Sequence, residues 1–311
     1  MIDFDKEDLL FLAPLAGYTD LPFREVVKKF GADVTVSEMI SSNALVYNSV
    51  KTLKMLEKSS GEVPYIVQIA GNNEKIIKEA VLILNDMPGI DGIDLNCGCP
   101  VPKVVRQGSG SALLKDLSKM SKIIETIKKN SNKRYTSVKA RLGFDSKIAK
   151  EIAIACENSG ADFLILHART RSDGYKSNKI DYNEIKEAKE VLNIPLVANG
   201  NVVDLKSYKN IKNITKADGV MIGRGAIGNP WIFYQIKNDI QILKKEKIQE
   251  IVLEHFERML DFYGEKATGI FRKHLHTYSK NFADATAFRD KVNRVEDPFV
   301  LKQYIKSFFT S

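Results

Sequence analysis

Very little in this sequence would build a secreted or membrane protein. Only three cysteines occur in 311 residues. The number is odd and the spacing is not that of a disulfide framework, which excludes a stapled extracellular scaffold and points to a reducing compartment. Cys97 and Cys99 form a C-x-C with no second Cys or His pair nearby, short of the four ligands of a tetrahedral centre, so no metal is expected. Long apolar runs are missing too: the uncharged stretch Leu9 to Gly17 falls far short of the roughly 20 residues that span a bilayer. The opening residues Met1 to Asp8 are acidic, unlike a signal peptide. The single tryptophan, Trp231, follows Pro230 and reads as packing at a helix start. Low-complexity tracts are absent. The expectation is a soluble, cytoplasmic, monomeric protein.

What is present suffices for a large core. With 44% hydrophobic residues the chain has room for one big domain and a small one. A formal charge of +8 and a pI near 9.1 favour a polyanionic partner. Short apolar runs alternate with amphipathic segments, predicting strands over Leu10–Gly17, Val34–Met39, Pro64–Gly71, Asp91–Gly98, Tyr135–Gly143, Asp162–Thr170, Ile194–Asn201 and Ala217–Arg224. Helix signals lie between them, the first opening on Asp20 as N-cap, with Pro22 in its first turn and Gly31 as its stop. Apolar strands separated by helices mean a parallel sheet covered on both faces. Eight such units over about 240 residues have the count and length of a (β/α)8 TIM barrel. A doubly wound open sheet would want a glycine-rich loop after its first strand, and the turn Ala16 to Asp20 lacks one.

From about Lys244 strand signals stop. Ile248–Tyr263, Thr268–Tyr278, Ala283–Asn293 and Pro298–Phe309 read as helices. The expected division is a barrel over residues 1–243 and a small all-helical domain over 244–311. Seven basic residues against two acidic ones between Lys266 and Arg294 leave an excess of five. Arg272, Lys273 and Arg289 within it are candidates for phosphate contacts.

In a barrel the chemistry sits where the strands end. Those ends carry Pro14 and Ala16; Glu38; Gln68; Asn96 and Cys99; Lys139 and Arg141; His167 and Arg169; Asn199, Gly200 and Asn201; and Gly223 and Arg224. Alternation puts Lys139 with Arg141, and His167 with Arg169, on shared faces. Burying such groups unpaired is costly, so an anion or polar heterocycle is expected among them. Asn199-Gly-Asn201 and Gly223-Arg-Gly225 follow the last two strands, where glycines and helix N-termini accommodate phosphate. Gly223 to Gly228 matches G-x-G-x-x-G, but after the last strand and without the βαβ context of a dinucleotide fold. Cys99 stands just past a strand in a loop stiffened by Pro100 and Pro102, a place suited to a reactive thiol. Cys97 and Cys156 read as structural.

These segments carry a resemblance. Ala13-Pro-Leu-Ala-Gly-Tyr-Thr-Asp-Leu-Pro-Phe-Arg24, Val67-Gln-Ile-Ala-Gly71, Asp94-Leu-Asn-Cys-Gly-Cys-Pro100 with Gly108-Ser-Gly-Ser-Ala-Leu-Leu-Lys115, Val138-Lys-Ala-Arg141, His167-Ala-Arg-Thr-Arg171 and Asp218-Gly-Val-Met-Ile-Gly-Arg-Gly225 resemble the tRNA-dihydrouridine synthases nearly end to end. The tail, with Gly264-Glu-Lys and Phe271-Arg-Lys-His274, is similar to the bacterial B-type branch. The resemblance implies FMN as cofactor, NADPH or NADH as reductant, and a D-loop uridine of tRNA, position 17, as substrate. It implies that Pro14, Leu15 and Ala16 lie against the flavin and that Gln68 and Lys139 meet its polar edge. His167 helps to hold the cofactor, and Asn199, Gly200, Asn201, Gly223 and Arg224 take its phosphate. It further implies Asn96 on the uracil, Arg141 and Arg169 on tRNA phosphates, and Cys99 as the acid that protonates C5. The segment Lys103 to Gly110 is then a loop ordering over the flipped base. The family often has Asp where this chain has Asn201, a difference a phosphate site made of main-chain groups tolerates. The rival readings are a dihydroorotate dehydrogenase-like flavin barrel acting on a free pyrimidine, which leaves the basic tail unexplained, and an RNA-binding protein without catalysis.

Overall fold

The computed structural model describes residues 1–174, 179–240, 245–280 and 282–310. Part of the polar loop expected after Thr170, and the expected domain boundary between residues 243 and 244, lie outside them. Among the described residues nine parallel strands form: β1 Leu10–Leu12, β2 Val34–Val36, β3 Ile40–Ser41, β4 Tyr65–Ala70, β5 Gly92–Cys97, β6 Tyr135–Arg141, β7 Phe163–His167, β8 Leu196–Asn199 and β9 Gly219–Ile222. β1 pairs with β2 and β9, and β2 also pairs with β4, so eight strands close into a barrel. The two-residue β3 takes up the same edge of β4 further along. The expected TIM barrel with a helical C-terminal region is the observed fold.

Several strands are shorter than their apolar runs. β1 stops at Leu12 because Pro14 has no N–H for the ladder and Gly17, at φ +77°, turns the chain. The helix over Leu21–Lys29 starts as read, the Asp20 carboxylate accepting from Phe23 N at 3.2 Å. One expected loop is helical: Pro102–Arg106 forms a short helix, with Pro102 at its first position, and a 3-10 turn follows over Gly110–Lys115. Proline at a helix start gives up only an N–H that would have no partner there.

The barrel interior changes character along its axis. Near the strand starts the inward residues are Phe11, Val34, Ile66, Tyr135, Phe163, Val197 and Met221, closed off by Ile2 and Phe4 of the N-terminal segment. Phe4 and Phe163 have ring centroids 5.3 Å apart, and Ile2 N donates to the Tyr135 hydroxyl at 2.7 Å. Continuing the alternation from these residues brings Gln68, Ser137, Lys139, Arg141, His167 and Asn199 inward toward the other end. The site is built from that polar half.

The C-terminal helices Lys245–Tyr263, Ala267–Tyr278, Ala285–Val292 and Pro298–Thr310 pack around Phe256, Phe271, Leu275, Leu301 and Ile305, joined by Val26 and Trp231 from the barrel side. Trp231 stacks on Tyr278, which places it in packing as read. Polar contacts cross the seam: Tyr263 hydroxyl to Asp20 at 3.0 Å, Arg258 to Glu25 at 2.8 Å, and Lys54 to the Phe262 carbonyl at 2.8 Å.

Beneath the first helix lies a buried ion pair. Arg24 Nε meets Glu62 Oε1 at 2.7 Å, with side-chain exposures of 1% and 0%. Thr35 Oγ1 and Ser59 N also donate to Glu62, at 3.0 Å each. Removing one partner leaves an uncompensated buried charge. Glu62→Ala is expected to lower unfolding free energy by about 3–5 kcal/mol, read as a shift in the urea midpoint at unchanged slope.

Candidate active site at the barrel mouth

A cavity of about 630 Å³ opens at the C-terminal ends of the strands. It is lined by Pro14, Leu15 and Ala16 after β1, Gln68 of β4, Asn96 and Cys99 at the end of β5, and Lys139 and Arg141 of β6. His167 of β7, Asn199, Gly200 and Asn201 at the end of β8, and Gly223 and Arg224 after β9 also line it. One tail residue, the exposed Lys280, also reaches it. The sequence reading named the others as site residues but not Lys280, whose approach depends on how the tail docks.

The strand register explains the gathering. Gln68, Asp94 and Ser137 are aligned across β4, β5 and β6. Asn96 lies level with Lys139, and Arg141 with His167, which in turn lies level with Asn199. Asp94 was missed at the sequence level although it alternates with Asn96 on the inward face. Its carboxylate is fully buried and accepts from Gln68 Nε2 at 2.8 Å and from Ser137 Oγ at 2.7 Å. Loss of hydration raises its pKa to about 6, against the lowering effects of those two donors and of Lys139. Asn96 Nδ2 donates to Gln68 Oε1 at 2.7 Å, while its Oδ1 accepts from Gly98 N at 3.2 Å and Cys99 N at 2.9 Å.

Cys99 is the only partly exposed thiol; Cys97 and Cys156 are buried, and burial pushes both thiols upward. Its carbonyl accepts from Ser111 N at 3.1 Å and Ser111 Oγ at 2.9 Å, so the Cys99 main chain is held on both sides. Gly110, at φ +63°, permits that approach, since a Cβ there would sit 3.0 Å from the Cys99 carbonyl oxygen.

The remaining wall is cationic. Lys139 Nζ donates to Asn199 Oδ1 at 3.2 Å. Removal from water, reinforced by Arg141 and opposed by Asp94, brings its pKa down to about 8. His167 is driven well below its ordinary value by burial and by Lys139, Arg141, Arg169 and Arg224, so it is neutral at pH 7. Its Nε2 faces Arg169 Nη1 at 3.4 Å, and a guanidinium only donates. The ring proton therefore belongs on Nδ1, a buried atom with no partner among the described residues.

Five cations expected on tRNA have partners within the protein. Arg169 N bonds back to the His167 carbonyl at 2.7 Å, a turn that ends the strand alternation. Its fully buried guanidinium donates to Asn201 Oδ1 at 2.9 Å. Arg141, though at the cavity, donates to the carbonyls of Gly98, Thr170 and Gly174 and so braces loops. In the tail, Arg272 donates to the Val295 carbonyl at 2.7 Å and Arg289 to Ser279 Oγ at 3.0 Å. Lys273 Nζ bonds the Gly17 carbonyl, beside the Tyr18 ring. Docking of the helices brings carbonyls and a hydroxyl within reach of these three tail cations.

A closed parallel barrel with a cation-lined mouth, a held thiol and an orphan ring N–H defines an α/β-barrel enzyme for an electron-rich or anionic ligand. Comparison with known proteins gives the family. Residues 11–311 match the family described as dihydrouridine synthase (Dus). A probable tRNA-dihydrouridine synthase of Helicobacter pylori is 50% identical over 308 residues, covering 99% of this chain and 94% of that one. A tRNA-dihydrouridine synthase B of Pasteurella multocida is 35% identical over 315 residues, covering 98% and 94%. Among solved structures, the old yellow enzyme of Trypanosoma cruzi superposes with a TM-score of 0.55 at 8% identity, over 82% of this chain and 93% of that one, a likeness of fold. The chain belongs to the dihydrouridine synthase family, oxidoreductases that reduce uridine in tRNA. No helix among the described residues is long and apolar enough to cross a membrane.

The tautomer argument has a direct check. Ring ¹⁵N resonances of His167 are expected to keep the neutral, Nδ1-protonated pattern as pH falls through 6.5; appearance of imidazolium there would refute the assignment.

Proposed function

We propose that the chain reduces the 5,6 double bond of one D-loop uridine of tRNA, with FMN in the barrel-mouth cavity, NAD(P)H as reductant and Cys99 as proton donor. The observation that carries this reading is that a thiol, a lysine and a neutral histidine line one cavity in a chain of this family. The residues present fit a flavin. Lys139, which has donors beyond the one it gives Asn199, and the orphan His167 Nδ1–H can both donate to a ligand, and a heteroaromatic ring edged with carbonyl oxygens offers them acceptors. Pro14, Leu15 and Ala16 would form a wall for such a ring, and Gln68 would meet its polar edge. Main-chain groups of Asn199, Gly200, Asn201 and Gly223, with Arg224, receive the phosphate.

FMN, when bound, supplies the hydride that enters C6, its electrons coming from NAD(P)H. Cys99 Sγ–H delivers the proton to C5, so one hydride and one proton together saturate the double bond. The partly exposed thiolate then recovers its proton from solvent. Asn96 spends one amide proton on Gln68 and keeps the other for a uracil carbonyl. Lys139 would place positive charge beside a bound flavin, a preorganised electrostatic contribution to its reduction. The base must leave its stack, at a cost of a few kcal/mol. Exposed Lys103 and Arg106 on the helix over Pro102–Arg106, with Lys280 at the rim, offer phosphate contacts that offset it. The C-terminal helices, residues 244–311, form the tRNA-binding domain in this reading.

Two measurements test it. Cys99→Ala should retain bound flavin and lose at least about 100-fold in dihydrouridine formation on tRNA from a strain lacking the enzyme, the scale of one general acid. Unchanged turnover would remove the thiol from the mechanism. FMN affinity should weaken as pH rises through about 8, because binding that favours the charged ammonium is lost when Lys139 deprotonates. Flavin fluorescence titrations between pH 7 and 9.5 should show this slope, and Lys139→Met should abolish it.

A further inference from the structure

We propose that Asp94 is a positioning residue: its carboxylate anchors a one-directional chain of side-chain amides, Gln68 and Asn96, that fixes the main chain of Cys99. The proposal rests on the reading of Cys99 as the proton donor and adds what holds that donor in place. Asp94 sits inside the barrel with uncharged donors alone at hydrogen-bond distance, Ser137 Oγ at 2.7 Å and Gln68 Nε2 at 2.8 Å, and no ion pair among the described residues. Packing has no use for such a group, since a carboxylate removed from water is costly and the half of the interior near the strand starts is filled by apolar residues.

The direction of the chain follows from what each end can do. A carboxylate accepts and does not donate, so Gln68 must turn Nε2 toward Asp94 and Oε1 away. Oε1 then takes Asn96 Nδ2 at 2.7 Å, which turns Asn96 Oδ1 to the loop. There it meets two groups that only donate, Gly98 N and Cys99 N, at 3.2 and 2.9 Å. Both ends demand the same sense, so neither amide has an alternative orientation, and the loop position is tied to a fixed point on the barrel wall. Without the acceptor-only end, Gln68 loses the group that holds its amide, and Asn96 loses a fixed acceptor.

The test reads the loop directly. Cys97 and Cys156 are buried, so alkylation of the folded protein by iodoacetamide, located by peptide mapping, reports on Cys99. Asp94→Ala should speed that alkylation at least about fivefold and lower kcat on tRNA with little change in KM. Asp94→Asn should stay within about threefold of the parent on both, because its Oδ1 still accepts from Gln68 while Ser137 Oγ turns to accept from its Nδ2. Should Asp94→Ala fail to fold, Gln68→Met breaks the same chain one link on and should raise the alkylation rate equally. Parent-like alkylation in Asp94→Ala or Gln68→Met, or Asp94→Asn as impaired as Asp94→Ala, overturns the proposal. Alkylation does not depend on turnover, so failure of the parent protein to reduce tRNA would count against the assigned reaction and leave this readout standing.

Discussion

The constraint on which this site depends is the filling of a closed eight-stranded barrel. Such an interior has no channel for water, so every inward side chain must be packed or hydrogen-bonded. Near the strand starts the chain answers with Phe11, Phe163, Val197 and Met221 under the plug of Ile2 and Phe4. Toward the strand ends it changes to Asp94, Ser137, Gln68, Asn96 and Lys139, whose mutual bonds make the inner surface of the cavity. Asp94, Ser137, Gln68 and Asn96 are each partnered on a neighbouring strand, and Lys139 reaches Asn199 on β8, so the register of β4, β5 and β6 and the geometry of the site are one fact.

The charges at the mouth are unbalanced, and that imbalance has chemical content. Lys139, Arg141, Arg169 and Arg224 all act on His167, whereas the carboxylate felt by Lys139 is Asp94. A field of that sign keeps the histidine neutral and brings the lysine toward the neutral range. An electron-rich ring or a phosphate entering the cavity relieves both effects at once. The same field suits a reduction, in which negative charge arrives and a proton follows it.

Much of this was legible from the order of residue types, and the failures have local causes. Apolar runs gave all eight barrel strands, because strands buried on both faces leave an unmistakable trace. Their ends were overestimated at β1, where Pro14 and a positive-φ Gly17 stop the ladder inside an apolar run. Alternation placed Lys139, Arg141 and His167 correctly but failed at Arg169, because the turn from Arg169 N to the His167 carbonyl breaks the period of two. Asp94 escaped notice inside Gly-Ile-Asp-Leu-Asn-Cys, although a carboxylate alternating with Asn96 in a barrel strand was itself the signal. Lys280 could not be placed, since reach from a docked helix is a property of the docking.

That docking also changes what the basic tail means. Lys273, Arg272 and Arg289, which a charge count assigns to a surface, each bond to groups of the protein itself. Lys273 is the informative one. Gly17 is held through its N–H by Glu38 and through its carbonyl by Lys273, so barrel and tail grip one residue through both of its peptide groups. Gly17 directly follows Pro14, Leu15 and Ala16, the segment that walls the cavity. Nearby, Tyr263 bonds Asp20, the cap of the helix that this loop enters. The tail is therefore part of the cavity wall's support. Its cations are not all surface charges: Lys273, Arg272 and Arg289 are spent on the protein, while Lys280 stands exposed at the rim of the cavity.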